Sequence, residues 1–142
     1  MPFLLDTSAL SELVEKKDQV VRQAKERLQA ALERGEDVYV SAPALYETLR
    51  GLLHIDATEE VQFLEDFAQV LGVQELSWAD WRRGAEIWAD LRRRGHPLSK
   101  EDRIDFDVLL GALAISLEAT VVTQNIRHFE AIGVPVQPWN AW

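Results

Sequence analysis

Apolar positions along the chain fall into short runs of strand type separated by longer stretches of helical spacing. Phe3-Leu4-Leu5 is a brief apolar run ending at Asp6 and predicts a buried strand. Ser8 to Val14 predicts a short helix, and Lys17 to about Glu33, rich in strong helix formers, predicts a second closed by Gly35. Val38-Tyr39-Val40 is β-branched and aromatic, as strands prefer. Ser41 and Pro43 open a helix to about His54. Thr58 or Glu59 to Leu71 predicts another, stopped by Gly72, with a short strand from Val73 to Leu76. Ser77 is a good N-cap for a helix to Arg94, which Gly95 and Pro97 end.

The segment from about Asp102 to Leu117 is helical and apolar on nearly every side, so it is expected to be buried. Thr120 to Thr123 predicts a strand, Asn125 to Ala131 a short helix ended by Gly133, and Val134 to Val136 a last strand. Strands alternating with helices predict an α/β fold: three layers, α/β/α, around a mainly parallel central sheet. No internal repeat or linker interrupts the pattern, and residues 1–142 read as a single domain.

That architecture gathers polar residues at the carboxyl edge of the sheet, where ligands of such folds bind. Asp6 follows the first strand, Ser41 the second, and Glu47 lies in the early turns of the next helix. Asp107 lies early in the apolar helix, and Thr123 and Asn125 end the strand after it. Three carboxylates with small hydroxyl and amide groups suit a hard divalent cation, Mg2+ or Mn2+, which prefers carboxylate and water oxygens. Such an ion lowers the pKa of bound water and neutralises charge on a scissile phosphate. The candidate metal ligands are Asp6, Glu47 and Asp107, and the chemistry suggested is phosphodiester hydrolysis.

Composition narrows the picture. The net charge of −9 argues against a broad basic face and against duplex binding through bulk charge. Without Cys there is no disulfide, thiolate zinc site, iron–sulfur cluster or Cys nucleophile. The opening residues lack a basic region and a long apolar core, so no signal peptide is expected, and no apolar stretch of ~18 residues suggests a membrane span.

Four segments carry a family resemblance: Leu4-Leu5-Asp6-Thr7-Ser8-Ala9-Leu10, Ala44-Leu45-Tyr46-Glu47-Thr48-Leu49-Arg50-Gly51, Asp107-Val108-Leu109-Leu110-Gly111-Ala112-Leu113-Ala114, and Val121-Val122-Thr123-Gln124-Asn125-Ile126-Arg127-His128-Phe129. In this order and spacing, spanning nearly the whole chain, they resemble PIN-domain proteins of the VapC toxin type, from bacterial or archaeal toxin–antitoxin pairs. The resemblance implies a metal-dependent endoribonuclease leaving a 5′-phosphate and a 3′-hydroxyl. It also implies a cytoplasmic homodimer. The implied partner is a small antitoxin whose tail occupies the active site and whose other end binds DNA, so that DNA is contacted only indirectly. Asp6, Glu47 and Asp107 match the family's first three acidic positions, and Thr7 or Ser8, with Thr123, the small polar ones. Where members commonly place a fourth acid, this chain has Asn125 and His128. That departure bears on a second metal ion more than on the first.

Each residue also has a plainer reading. Asp6 could simply cap a helix. Glu47 projects away from the apolar face of its helix, so periodicity alone reads it as a solvated acid paired with a neighbouring Arg. Asp105 and Asp107 point roughly 200° apart on a regular helix and would not both grip one ion; Asp107 shares a face with Gly111. Asn125 could only stabilise a turn. Arg127 and the run Arg92-Arg93-Arg94 read first as surface charge. His54, His96 and His128 lie in different elements without ligand spacing and read as surface or loop residues. Trp81, Ala85 and Trp88 form a stripe expected to pack in a core or dimer rather than stack bases. The competing function is a catalytically weak PIN-type module that mainly holds an antitoxin or other protein. An aspartyl-phosphate enzyme is disfavoured because Ser8, not Asp, stands two residues after Asp6. No Gly-rich phosphate loop is present.

Overall fold

The computed structural model describes residues 2–14 and 18–142. Strand β1 (Pro2–Leu5) leads into α1 (Thr7–Leu13), α2 (Asp18–Glu33) and β2 (Asp37–Ser41). Next come α3 (Ala42–His54), α4 (Thr58–Leu71), β3 (Val73–Gln74) and α5 (Trp78–Arg93). A 3-10 turn (Pro97–Lys100), α6 (Ile104–Leu117), β4 (Thr120–Thr123), α7 (Ile126–Ile132) and β5 (Val136–Pro138) complete the fold, with a last 3-10 turn at Trp139–Ala141. The expected start of α2 at Lys17 lies outside the described residues.

The sheet has the order β3-β2-β1-β4-β5, and every pairing is parallel. From β1 the chain moves outward through β2 to β3, then crosses back to β4 and β5 on the other side. Right-handed crossovers place α1 to α4 on one face and α5 to α7 on the other. The expected three-layer architecture is therefore present. Its topological switch point lies between β1 and β4, the crevice in which α/β sheets bind ligands.

Two apolar clusters hold the layers together. Leu4, Leu5, Val40, Val121 and Val122 of the sheet are fully buried with Leu10, Leu13, Leu64 and Phe129 from the helices. Leu91, Leu98, Ile104 and Val108 form a second cluster where α5 packs on α6. Burying each such side chain contributes roughly 1.5–3 kcal/mol. Local chemistry sets the ends of the elements. Ser77 and Asp80 form a reciprocal capping box at α5, Ser77 Oγ accepting from Asp80 N at 3.2 Å and Asp80 Oδ2 from Ser77 N at 2.9 Å.

Three boundaries differ from the sequence expectation. β5 starts at Val136 rather than Val134, because Val134 N–H closes α7 on Phe129 O while Pro135 O accepts from Val121 N. β3 pairs only over Val73–Gln74. The residues before α6 form a separate 3-10 turn, whose first bonds include His96 Nδ1 accepting from Leu98 N at 3.1 Å.

Candidate active site

Asp6 sits one residue beyond β1 as the N-cap of α1, and its carboxylate is fully engaged. Oδ1 accepts from Ala9 N at 2.9 Å and from Ser8 Oγ at 2.6 Å, and Oδ2 accepts from Thr123 Oγ1. Thr123 Oγ1 in turn accepts from Asn125 N at 2.8 Å, and Ser8 Oγ accepts from Gln124 N at 3.0 Å. The ends of β1 and β4 are thus joined through one carboxylate and two hydroxyls. The capping and site readings of Asp6 coexist: capping uses one lone pair of Oδ1, and the side chain lies at the switch point. Burial raises its pKa above the usual carboxylate value, against the lowering effect of those hydrogen bonds. Ser8, not Thr7, supplies the hydroxyl beside Asp6; Thr7 Oγ1 is buried with no hydrogen-bond partner.

Asp107 comes from the opposite layer, in the first turn of α6, and is also buried. Burial pushes its pKa up to about 6; His128 opposes this by hydrogen bond and charge, while the Asp6 charge reinforces it. Asp105, two residues earlier, is exposed, as the helical rotation expects. His128 was expected as a surface or loop residue, and here the structure differs. Its Nδ1 lies 2.6 Å from Asp107 Oδ2 and its Nε2 2.8 Å from Glu101 Oε2. With Asp102, Arg103 and Asn125 these residues line a cleft of about 190 Å³. A larger cleft of about 570 Å³ lies between α1, α2 and α4 and contains none of the site carboxylates.

Periodicity alone reads Glu47 as solvated and the family resemblance reads it as a site residue; its side chain is only 6% exposed. Arg103 Nε donates to its Oε2 at 2.6 Å and Arg103 Nη2 to its Oε1 at 2.9 Å, while Arg50 Nη2 stands 3.9 Å away. Helical periodicity saw only the sheet-facing side of α3; the other side is covered at this point by the turn leading into α6. Arg103 carries no sequence signal of its own, being one basic residue within a charged turn.

Among the described residues, no group of three His, Asp or Glu side chains is arranged to hold a metal ion. Asp6 and Asp107 nevertheless fit a hard divalent cation. Both are buried oxygen donors, their pKa values are raised by desolvation, and the charge of Asp6 raises that of Asp107. Glu47 does not fit equally well, since its negative charge is already paired with the Arg103 guanidinium, which bonds both of its oxygens. Asn125 lines the cleft. Arg127 is exposed. His54 is exposed, and His96 caps the 3-10 turn. Trp78 and Trp81 are 79% and 49% exposed, so neither packs in a core.

A model of the PIN domain matches residues 3–134. No curated protein matches the chain in sequence. Among solved structures it is similar to DNA-bound VapBC from Salmonella typhimurium, with 25% identity, a TM-score of 0.77 and 98% of each chain covered. It is similar to VapBC2 from Rickettsia felis bound to a promoter DNA fragment, with 22% identity, a TM-score of 0.76 and coverage of 98% of this chain and 99% of that one. It also resembles Mycobacterium tuberculosis VapC20, a sarcin-ricin loop cleaving toxin, with 17% identity, a TM-score of 0.63 and coverage of 93% and 95%. These likenesses show the fold.

Proposed function

The chain belongs to the PIN-domain family, and from that premise we propose that it is a divalent-metal-dependent endoribonuclease, the toxin of a toxin–antitoxin pair. The observation that carries this reading is the buried pair Asp6 and Asp107, brought from opposite layers to the switch point of the sheet. The substrate is RNA, and the reaction is hydrolysis of a phosphodiester to a 5′-phosphate and a 3′-hydroxyl. Asp6 and Asp107 would hold one Mg2+ or Mn2+, which supplies water activation and charge neutralisation at the phosphate.

The chain's own groups do the positioning. Ser8, Thr123 and the Ala9 amide fix the Asp6 carboxylate in one orientation, and His128 fixes that of Asp107. Thr123 orients the Asn125 backbone, whose side chain borders the cleft and is assigned to water or phosphate. Residues 1–142 act as a single domain. The partners proposed are a cognate antitoxin, through which DNA is contacted indirectly, and a second copy of the chain; the location is the cytoplasm. Support for an antitoxin partner comes from the VapBC structures of Salmonella typhimurium and Rickettsia felis, which are bound to DNA.

A catalytically weak antitoxin-binding module is the second reading, favoured by one observation: Glu47 is committed to Arg103. The test is cleavage of single-stranded and structured RNAs by the purified chain with Mg2+, Mn2+ or EDTA, alongside Asp6→Asn and Asp107→Asn. Metal-dependent cuts lost in both variants are expected. No cutting of any RNA together with no Mn2+ binding would overturn the nuclease reading in favour of the module.

A further inference from the structure

Glu47 reaches the rim of the site as the buried end of an ion pair whose cationic ends face solvent. Its side chain is 6% exposed, against 48% for Arg103 and 51% for Arg50. The Arg103 fork is bidentate on Glu47, which fixes the guanidinium plane. Two of its five N–H donors are used, leaving the rest for a ligand. Arg103 lines the same cleft as Asp107, which places it beside the buried acid. Arg50 lies 5.4 Å over the Tyr46 ring and 5.1 Å over Phe106, two rings that stack at 6.0 Å.

Two consequences follow. For Glu47 to ligate a metal ion, the cation must settle beside the Arg103 guanidinium already held at both Glu47 oxygens, or displace it, whereas among the described residues no guanidinium is bonded to Asp6 or Asp107. The chain also carries a net charge of −9, so an RNA backbone approaching carboxylates requires local cations. Arg103 and Arg50 are cations tied to this rim, and Glu47 is what ties them.

We infer that Glu47 is a positioning residue rather than a metal ligand. It holds Arg103, with Arg50 beside it, as a guanidinium grip for an RNA phosphate adjoining the one cut at Asp6 and Asp107. This rests on the nuclease reading and assigns its third acid a different task.

The test separates metal from RNA. Mn2+ binding to the full-length, metal-free chain is measured by calorimetry for the parent, Glu47→Gln and Asp107→Asn. Binding of a labelled single-stranded RNA, with Ca2+ in place of Mg2+, is measured against salt, and its cleavage with Mn2+ by steady-state kinetics, for the parent, Arg103→Gln and Glu47→Gln with Arg103→Gln. Glu47→Gln is expected to keep Mn2+ affinity within about 3-fold, whereas Asp107→Asn loses about 10-fold or more. Arg103→Gln is expected to raise KM about 10-fold with little change in kcat, and to flatten the salt slope by about 0.7, the value for one phosphate contact on a single strand. Glu47→Gln with Arg103→Gln is expected to cut RNA no worse than Arg103→Gln alone, because Glu47 acts through Arg103. Arg103→Gln keeps an amide donor beside Glu47, and a thermal melt of each variant checks that it is folded. The inference is overturned if Glu47→Gln loses Mn2+ affinity as Asp107→Asn does, or if Arg103→Gln leaves KM and salt slope unchanged. A parent that cuts no RNA but shows the Arg103-dependent slope overturns the nuclease reading and leaves the grip standing.

Discussion

The imidazole of His128 lies between two carboxylates, with Nδ1 2.6 Å from Asp107 Oδ2 and Nε2 2.8 Å from Glu101 Oε2. Both ring nitrogens donate only when the ring is charged. The first turn of α7 thereby meets the first turn of α6 through a charge-assisted contact. It holds Asp107 in one rotamer and keeps its pKa from rising further.

Removing that contact is expected to move the Asp107 titration. Burial alone drives the carboxyl upward, and His128 opposes it by hydrogen bond and charge. His128→Ala therefore raises the Asp107 pKa above the present value of about 6. Carboxyl-resolved NMR titration of the metal-free chain reads it directly. A shift down toward the ordinary value of about 3.9 would sink this account of the site.

The same shift sets a pH dependence of stability. Asp107 holds its proton more tightly folded, at about 6, than it does unfolded. Its contribution to folding is thus greatest at low pH. It declines as pH rises from about 4, where the unfolded chain deprotonates, to about 6, and is flat above. In the metal-free protein, Asp107→Asn removes this decline and gains up to ~2–3 kcal/mol relative to the parent above pH 6. Urea melts from pH 4 to 8 check it; parallel curves for parent and variant would show that the two forms differ in something other than this ionisation.

How much of this was legible in the sequence depends on the distance over which the cause acts. β4 was readable because Thr120 to Thr123 is a β-branched run between a helix and a turn, and the structure places it at those residues. The rim was readable because alternation of strands and helices gathers Asp6, Asp107 and Thr123 at the carboxyl edge; the strand order that makes this edge a switch point is set by long-range pairing. β5 was misplaced by two residues because a tertiary demand, Val134 closing α7 on Phe129, outweighed a β-branched pair. The Glu47–Arg103 pair spans 56 residues and the His128–Asp107 contact 21, and no local period encodes either. Periodicity reports which side of a helix meets its own core, and Glu47 is covered from the other side.

Gly111 and Gly84 predict opposite outcomes for the same substitution. A Cβ on Gly111 would stand 2.7 Å from Ile132 Cγ2 of α7, too close without movement of a branched side chain. A Cβ on Gly84 would stand 3.0 Å from a Leu109 Cδ2 methyl, which can swing. Gly→Ala gains ~1 kcal/mol of helix propensity at either position, while overpacking costs ~1–3 kcal/mol. Gly111→Ala is therefore expected to destabilise by ~1–2 kcal/mol and Gly84→Ala to be near neutral. Adding Ile132→Ala to Gly111→Ala should relieve the clash at the expense of packing. Denaturant melts decide, and a stabilised Gly111→Ala would mean that α6 and α7 are not held this closely.

Asp6 carries a structural task and a proposed chemical one, and two substitutions separate them. Asn caps a helix about as well as Asp and can still accept from Ala9 N, so Asp6→Asn keeps the cap and removes a buried charge. Its metal-free melting temperature is expected to equal or exceed that of the parent. Asp6→Ala loses the cap and leaves the Thr123 and Ser8 hydroxyls without their acceptor, at a cost of ~1–3 kcal/mol. Mn2+ at about 100 times its dissociation constant should stabilise the parent by ~2.7 kcal/mol. For a chain of this size that is a rise of about 6–10 °C. Both variants should lose that rise, although only Asp6→Ala starts lower. A full metal-induced shift in Asp6→Asn would remove Asp6 from the ion site and leave it as the cap that ties β1 to β4.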